Sequence, residues 1–96
     1  MRRFPVFNAF TAVIKGSVQG VGFRYFTKGK ADELHLTGWV RNRPDGTVEL
    51  LAKGDRTDLE QFMQSLIAGS TGSWVEKVEH QWTEESQDYK GFEIRG

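Results

Sequence analysis

The sequence predicts an α+β fold of the split βαβ kind: one antiparallel sheet with two helices on one face, in the order β-α-β-β-α-β with a short terminal strand. Three observations predict it. Residues 23–35 and 58–68 carry apolar side chains at helical spacing. A Pro-Asp-Gly turn joins two strand-like stretches between them. Further alternating stretches precede the first helix and follow the second.

In the first stretch, Phe10, Ala12 and Ile14 alternate with Thr11, Val13 and Lys15, the period of a strand with one wetter face. The start, MRRFPVFNAFTAVIKG, has the arginines and apolar run of a signal peptide. Asn8 and Thr11 interrupt the run and no A-x-A site follows, so the stretch is expected to be an ordered first strand. GSVQGVGFR ends it. Phe23, Phe26, Thr27, Ala31 and Leu34 then share one face of a helix over 23–35. Lys30 falls within that face and must lead its ammonium outward, and Gly29 costs about 1 kcal/mol against alanine.

LTGWVRN (36–42) is the second strand. In RPDG, Pro44 presets φ for the first turn position and Gly46 permits a positive φ after Asp45. TVELLAKG resumes as the third strand with Val48, Leu50 and Ala52 on one side, so the two form a hairpin. In the second helix Leu59, Phe62, Met63, Leu66 and Ile67 form an apolar stripe read as core packing. Thr57 with Glu60 fits a capping box, Asp55 is the alternative cap, and Gly69 closes the helix. GSTGS is a flexible connector. WVEKVEHQW alternates, but neither alternate set is wholly apolar, as in an edge or twisted strand. GFEIRG gives a short last strand with Phe92 and Ile94 inward.

Composition narrows the function. The 96 residues fit one domain, 1–96, without repeats or a dividing linker. Absence of cysteine removes disulfides, thiolate nucleophiles and sulfur-ligated metals, and fits a reducing, cytoplasmic setting. Thirteen basic residues balance thirteen acidic ones, which argues against broad nucleic-acid binding. No run approaches the ~18 apolar residues of a membrane span. Without an obvious apolar patch the default is a monomer.

The loop from 16 to 24 carries the chemistry. Glycines 16, 20 and 22 let the backbone turn and let a ligand approach main-chain N–H groups. The next helix aims its unpaired donors at the same place. Arg24, in the first turn, opposes the helix dipole, which an anion between them would reconcile. The plain alternative is a tight turn with a surface arginine. The loop is neither a P-loop nor GxGxxG. His35 and His80 lack acid or cysteine partners for a metal or triad role, and Ser17 has no base beside it. Trp39, Trp74 and Trp82 read as packing residues, and Arg41 and Arg43 as solvated charges in opposite phase to Asn42.

GSVQGVGFR, then Ala31, then LTGWVRNRPDGTVELLAKG, resembles the acylphosphatase family, whose pattern is V-Q-G-V-x-F-R followed by G-W-V-x-N and a D-G-x-V-E hairpin. Both halves are present in order, and the likeness runs to the F-x-I ending at Phe92 and Ile94. The resemblance implies a ferredoxin-like βαββαβ fold and hydrolysis of acyl phosphates without a metal or other cofactor. It implies that the loop of Gly16, Ser17, Val18, Gln19, Gly20, Val21 and Gly22 binds the phosphoryl oxygens, with Arg24 the catalytic arginine and Asn42 the catalytic asparagine.

Such a site is sparse but chemically sufficient. The carboxylate expelled from an acyl phosphate has a conjugate-acid pKa near ~4 and leaves unprotonated, so no general acid is required. Donors must hold the phosphoryl charge, and Asn42 must aim a water whose proton passes to a substrate oxygen. Two other functions compete. One is a non-catalytic binding module for RNA or a small anion, since KGFEIRG is similar to part of an RNP1 segment, although its further aromatics are missing. The other is a module like that at the front of a hydrogenase-maturation protein, whose cysteine-rich zinc-binding segments have no counterpart here.

Overall fold

The structure, a computed structural model, describes residues 7–96, so the expected first-strand residues before Phe7 lie outside the description. The elements are β1 (Ala9–Ser17), α1 (Phe23–Glu33), β2 (Thr37–Asn42), β3 (Val48–Lys53), α2 (Arg56–Ala68), β4 (Trp74–Thr83) and β5 (Phe92–Arg95). The five strands form one sheet in the order β4-β1-β3-β2-β5. β3 is antiparallel to both β1 and β2, so β1 and β2 run parallel with one strand between them. By the same logic β3 and β4 run parallel around β1. Two split βαβ units interlock, the ferredoxin-like arrangement. The short last strand pairs with β2 in parallel, which makes the sheet mixed where antiparallel pairing was expected throughout.

The alternation read from sequence fixes the core. Phe10, Ala12 and Ile14 of β1, Val40 of β2, and Val48, Leu50 and Ala52 of β3 are buried in one cluster with residues of both helices. Phe23 and Ala31 enter it from α1, and Leu59, Phe62, Met63 and Leu66 from α2. Phe10 stacks obliquely on Phe62 at 6.1 Å, and Phe92 meets the same ring edge-on. Ile67, expected in the α2 stripe, is instead 51% exposed, at the stripe's outer margin.

β4 is an edge strand, and a bulge explains its mixed alternation. Lys15 pairs with Lys77 but Gly16 with Val75, so Glu76 is the extra residue and the phase shifts there. Val75, Val78 and Trp82 all reach the core as a result. Arg56 at the start of α2 lies over the Trp82 ring at 3.6 Å, clamping helix to edge strand. The β4–β5 connector is pinned rather than loose. Asn8 and Glu85 exchange side-chain-to-backbone hydrogen bonds of 3.1 and 2.8 Å, and Lys53 donates to the Gln87 carbonyl at 2.9 Å.

Two helix ends differ from simple expectation. α2 starts two residues earlier than a Thr57 cap allows: its N-cap is the alternative, Asp55, Thr57 lies inside, and no side chain caps it, so the capping box does not form. α1 ends in a Schellman motif, with Leu36 N–H on Ala31 O at 2.9 Å and His35 N–H on Asp32 O at 3.1 Å. That motif requires a left-handed residue, and His35 supplies it at φ 56 where glycine is usual. Replacing His35 with glycine is expected to raise stability by about 1 kcal/mol, a melting midpoint a few degrees higher by calorimetry with turnover unchanged.

Candidate active site

Parallel β1 and β2 end on the same side of the sheet, and this topology assembles the site. The loop leaving β1, the N-terminus of α1 and the last residue of β2 converge there. A cleft of about 100 Å³ is lined by Val18, Gly20, Gly22, Phe23, Arg24, Tyr25 and Asn42. Seven expected loop positions thus behave differently. Val18, Gly20 and Gly22 face the cleft, whereas Gly16 and Ser17 belong to β1 and pair with Val75 and Trp74 of β4. Glycine at 16 serves the strands: a Cβ there would collide with the Trp74 carbonyl. Val18 turns its side chain into the core, leaving only its main chain for a ligand. Val21 sits exposed between the two lining glycines.

Gly20 and Gly22 both take positive φ, 74 and 76. A Cβ would have open space at either, so conformation and not room makes them glycines. Gly22 is the N-cap of α1, with no side-chain cap bond and no acidic residue in the first turn. The first intrahelical bond runs from Phe26 N–H to Gly22 O. The N–H groups of the preceding first-turn residues are therefore free of helical partners, an electropositive end without its usual protein cap.

Arg24 stands half-buried in that turn. Its Nη1 donates to the Arg95 carbonyl at 3.3 Å, which braces the side chain against β5. Among the described residues, Arg41, Arg43, Arg56 and Arg95 each have a carboxylate within 4.0 Å, and Arg24 has none. A guanidinium so placed keeps its remaining donors and its charge for something outside the protein.

Asn42 shares the phase of buried Val40, so it faces the helix side while Arg41 faces the open side, where it pairs with Glu49 at 2.6 Å. Asn42 Oδ1 is buried and accepts no hydrogen bond from the described protein. Buried acceptors are nearly always paired, so an orphan on a residue lining a cleft marks a ligand or water position.

Gln19 does something the sequence did not disclose. Its Nε2 donates to the Arg43 carbonyl at 2.8 Å and the Thr47 carbonyl at 2.9 Å. The loop is thereby tied to the hairpin turn that follows Asn42. That turn is closed by Gly46 N–H on Arg43 O, with Gly46 at φ 90 as expected. Thr47's hydroxyl and N–H both donate to Asp45 Oδ1, and these bonds, the hydroxyl first, hold the carboxyl below its ordinary range. The turn's support from Asp45 is complete above the usual carboxylate pKa and is lost as pH falls through the lower folded value. Gln19→Ala removes two hydrogen bonds while each carbonyl keeps its main-chain donor, and should cost about 1–3 kcal/mol. At temperatures where the variant is fully folded, the inhibition constant for inorganic phosphate should still rise severalfold, because the loop loses its register against Asn42. Phe23 and Tyr25 line the cleft although the sequence did not single them out for the site; nothing about an exposed aromatic such as Tyr25 in a helical first turn signals a cleft.

The fold and cleft define a ferredoxin-like α+β protein with an anion-ready pocket whose described lining lacks a carboxyl, imidazole or thiol. Comparisons with known proteins carry this further. The acylphosphatase family profile matches residues 10–94. An acylphosphatase of Bacillus licheniformis is 46% identical over 85 residues, covering 88% of this chain and 94% of that protein. The crystal structure of an acylphosphatase from Bacillus subtilis superposes with a TM-score of 0.89 at 38% identity, covering 92% of this chain and 98% of that one. Full-length HypF, in its phosphate- and nucleotide-bound form, superposes at a TM-score of 0.80 and 30% identity, this chain spanning 12% of it. The chain belongs to the acylphosphatase family, hydrolases acting on acid anhydrides.

Proposed function

We propose that this cleft is where the carboxyl–phosphate bond of acyl phosphates is hydrolysed, with the loop and Arg24 holding the phosphoryl group and Asn42 orienting the water. The observation that carries it is the pairing of complementary vacancies in bonding: a braced guanidinium without a carboxylate partner and a buried carbonyl oxygen without a donor, lining one cleft.

The chemistry follows from what the lining offers. Main-chain N–H groups from Val18 to Gly22 and the first turn of α1, with Arg24, surround the phosphoryl oxygens and stabilise the charge redistributed in the transition state. Asn42 Oδ1 accepts one hydrogen of a water and points its oxygen at phosphorus. The water oxygen bonds phosphorus as the bridging P–O bond breaks, and the electron pair leaves with the carboxylate. One water proton passes to a phosphoryl oxygen, so the products are a carboxylate and inorganic phosphate. Orientation of this kind accounts for several of the ~7–11 kcal/mol available from positioning. No lining side chain needs to act as acid or base, and no metal or cofactor enters the scheme.

The substrate is a small molecule; nucleic acid and membrane have no part in the reading. The described residues contain no helix long and apolar enough to cross a membrane. A cysteine-free chain with zero net charge suits a single-domain, monomeric, cytoplasmic enzyme. The test is a steady-state assay with benzoyl phosphate, with and without chelator, with inorganic phosphate added. Chelator-insensitive turnover competitively inhibited by phosphate is expected; no turnover, or turnover indifferent to phosphate, overturns the reading.

A further inference from the structure

The phosphate cleft is far smaller than an organic ligand. At about 100 Å³ it falls well below the ~300–1,000 Å³ of ordinary small-molecule pockets. An acyl group of any size must therefore lie outside it. Displacement at phosphorus is in line, so the leaving group departs opposite the attacking water. Asn42 Oδ1, which aims that water, is buried where Asn42 lines the cleft. The acyl group consequently points at the mouth.

The mouth is not polar. Tyr25 lines the cleft and is 72% exposed; Val21, between the two lining glycines, is 38% exposed. These are two of the five large apolar side chains exposed among the described residues, and of the five Tyr25 lines the cleft. Tyr25 has no ring stacking or hydrogen bond among the described residues, in contrast to Tyr89, whose hydroxyl donates to Glu85. No cation besides Arg24 lines the cleft, and Arg24 is engaged by the phosphoryl group in the reaction proposed above.

We infer that Tyr25 is the specificity-determining platform for the acyl side of the substrate, and that it favours flat apolar acyl groups over small ones. The inference rests on the proposed reaction at this cleft. A ring stacking on an open aromatic face gains less than one enclosed in a pocket, so the preference is modest.

The test compares benzoyl phosphate and acetyl phosphate in the wild type, Tyr25→Ala and Tyr25→Phe. Tyr25→Ala should lower kcat/KM for benzoyl phosphate about three- to tenfold, and that for acetyl phosphate less than twofold. The inhibition constant of inorganic phosphate should not change. Tyr25→Phe should keep the wild-type ratio, since the ring and not the hydroxyl makes the platform. Equal losses on both substrates, or no loss on either, overturn the platform while leaving the proposed reaction standing. A wild type that turns over neither substrate overturns both.

Discussion

Replacing Arg24 with alanine is expected to lower kcat/KM for benzoyl phosphate by about 10³-fold or more and to abolish inhibition by inorganic phosphate. The size of the effect follows from position. Arg24 supplies the one full positive charge in the lining, and a phosphoryl group entering without it would meet only main-chain dipoles. Lysine should restore little: an ammonium cannot reproduce a planar fork, nor donate to the Arg95 carbonyl while still facing phosphate. The fold should survive, because the change removes one partly exposed hydrogen bond worth about 0.5–1.5 kcal/mol. Thermal melting alongside inhibition by phosphate separates the two effects. Phosphate affinity surviving in a folded Arg24→Ala protein would contradict the role given to the guanidinium.

Asn42→Ala should behave differently. Here kcat and kcat/KM should fall together by about 10²–10³-fold while the phosphate inhibition constant stays within about twofold. That pattern belongs to a group that acts on the nucleophile and not on the bound anion. Stability should move the other way. The Asn42 side chain makes no hydrogen bond to the described protein, so replacing it with alanine breaks none and should leave the melting midpoint equal or higher. A variant that is more stable and nearly inactive would show an asparagine retained against the interest of the fold. Unchanged hydrolysis by Asn42→Ala would remove it from the mechanism.

Much of the fold was legible because local and global signals agree. The α2 stripe, the Pro44-Asp45-Gly46 turn and the alternation of β1 each specify an element alone, and the structure buries Leu59, Phe62, Ile14 and Val48 accordingly. What was hidden is non-local. The bulge opposite Gly16 shifts the phase of β4, and only the pairing with β1 reveals it. The parallel docking of β5 depends on its partner. Gln19 looked like a main-chain contributor, since its side-chain partners lie more than twenty residues away in a turn. The capping box did not form because the first α2 bond, Leu59 N–H to Asp55 O at 2.9 Å, closes two residues before the position a Thr57 cap needs. At the site, Arg24 and Asn42 could be named from their motifs, but their convergence depends on β1 and β2 running parallel with β3 between them. The platform formed by Tyr25 could not be read at all until the cleft had a mouth.

The bond from Arg24 to the carbonyl of Arg95 links residues 71 apart in sequence, across nearly the whole chain. In the proposed reaction the brace on Arg24 is therefore a non-local contact, of the kind whose loop-closure entropy slows its formation. During recovery from denaturant, regained activity should then lag behind hydrophobic collapse and report the docking of the chain's last strand.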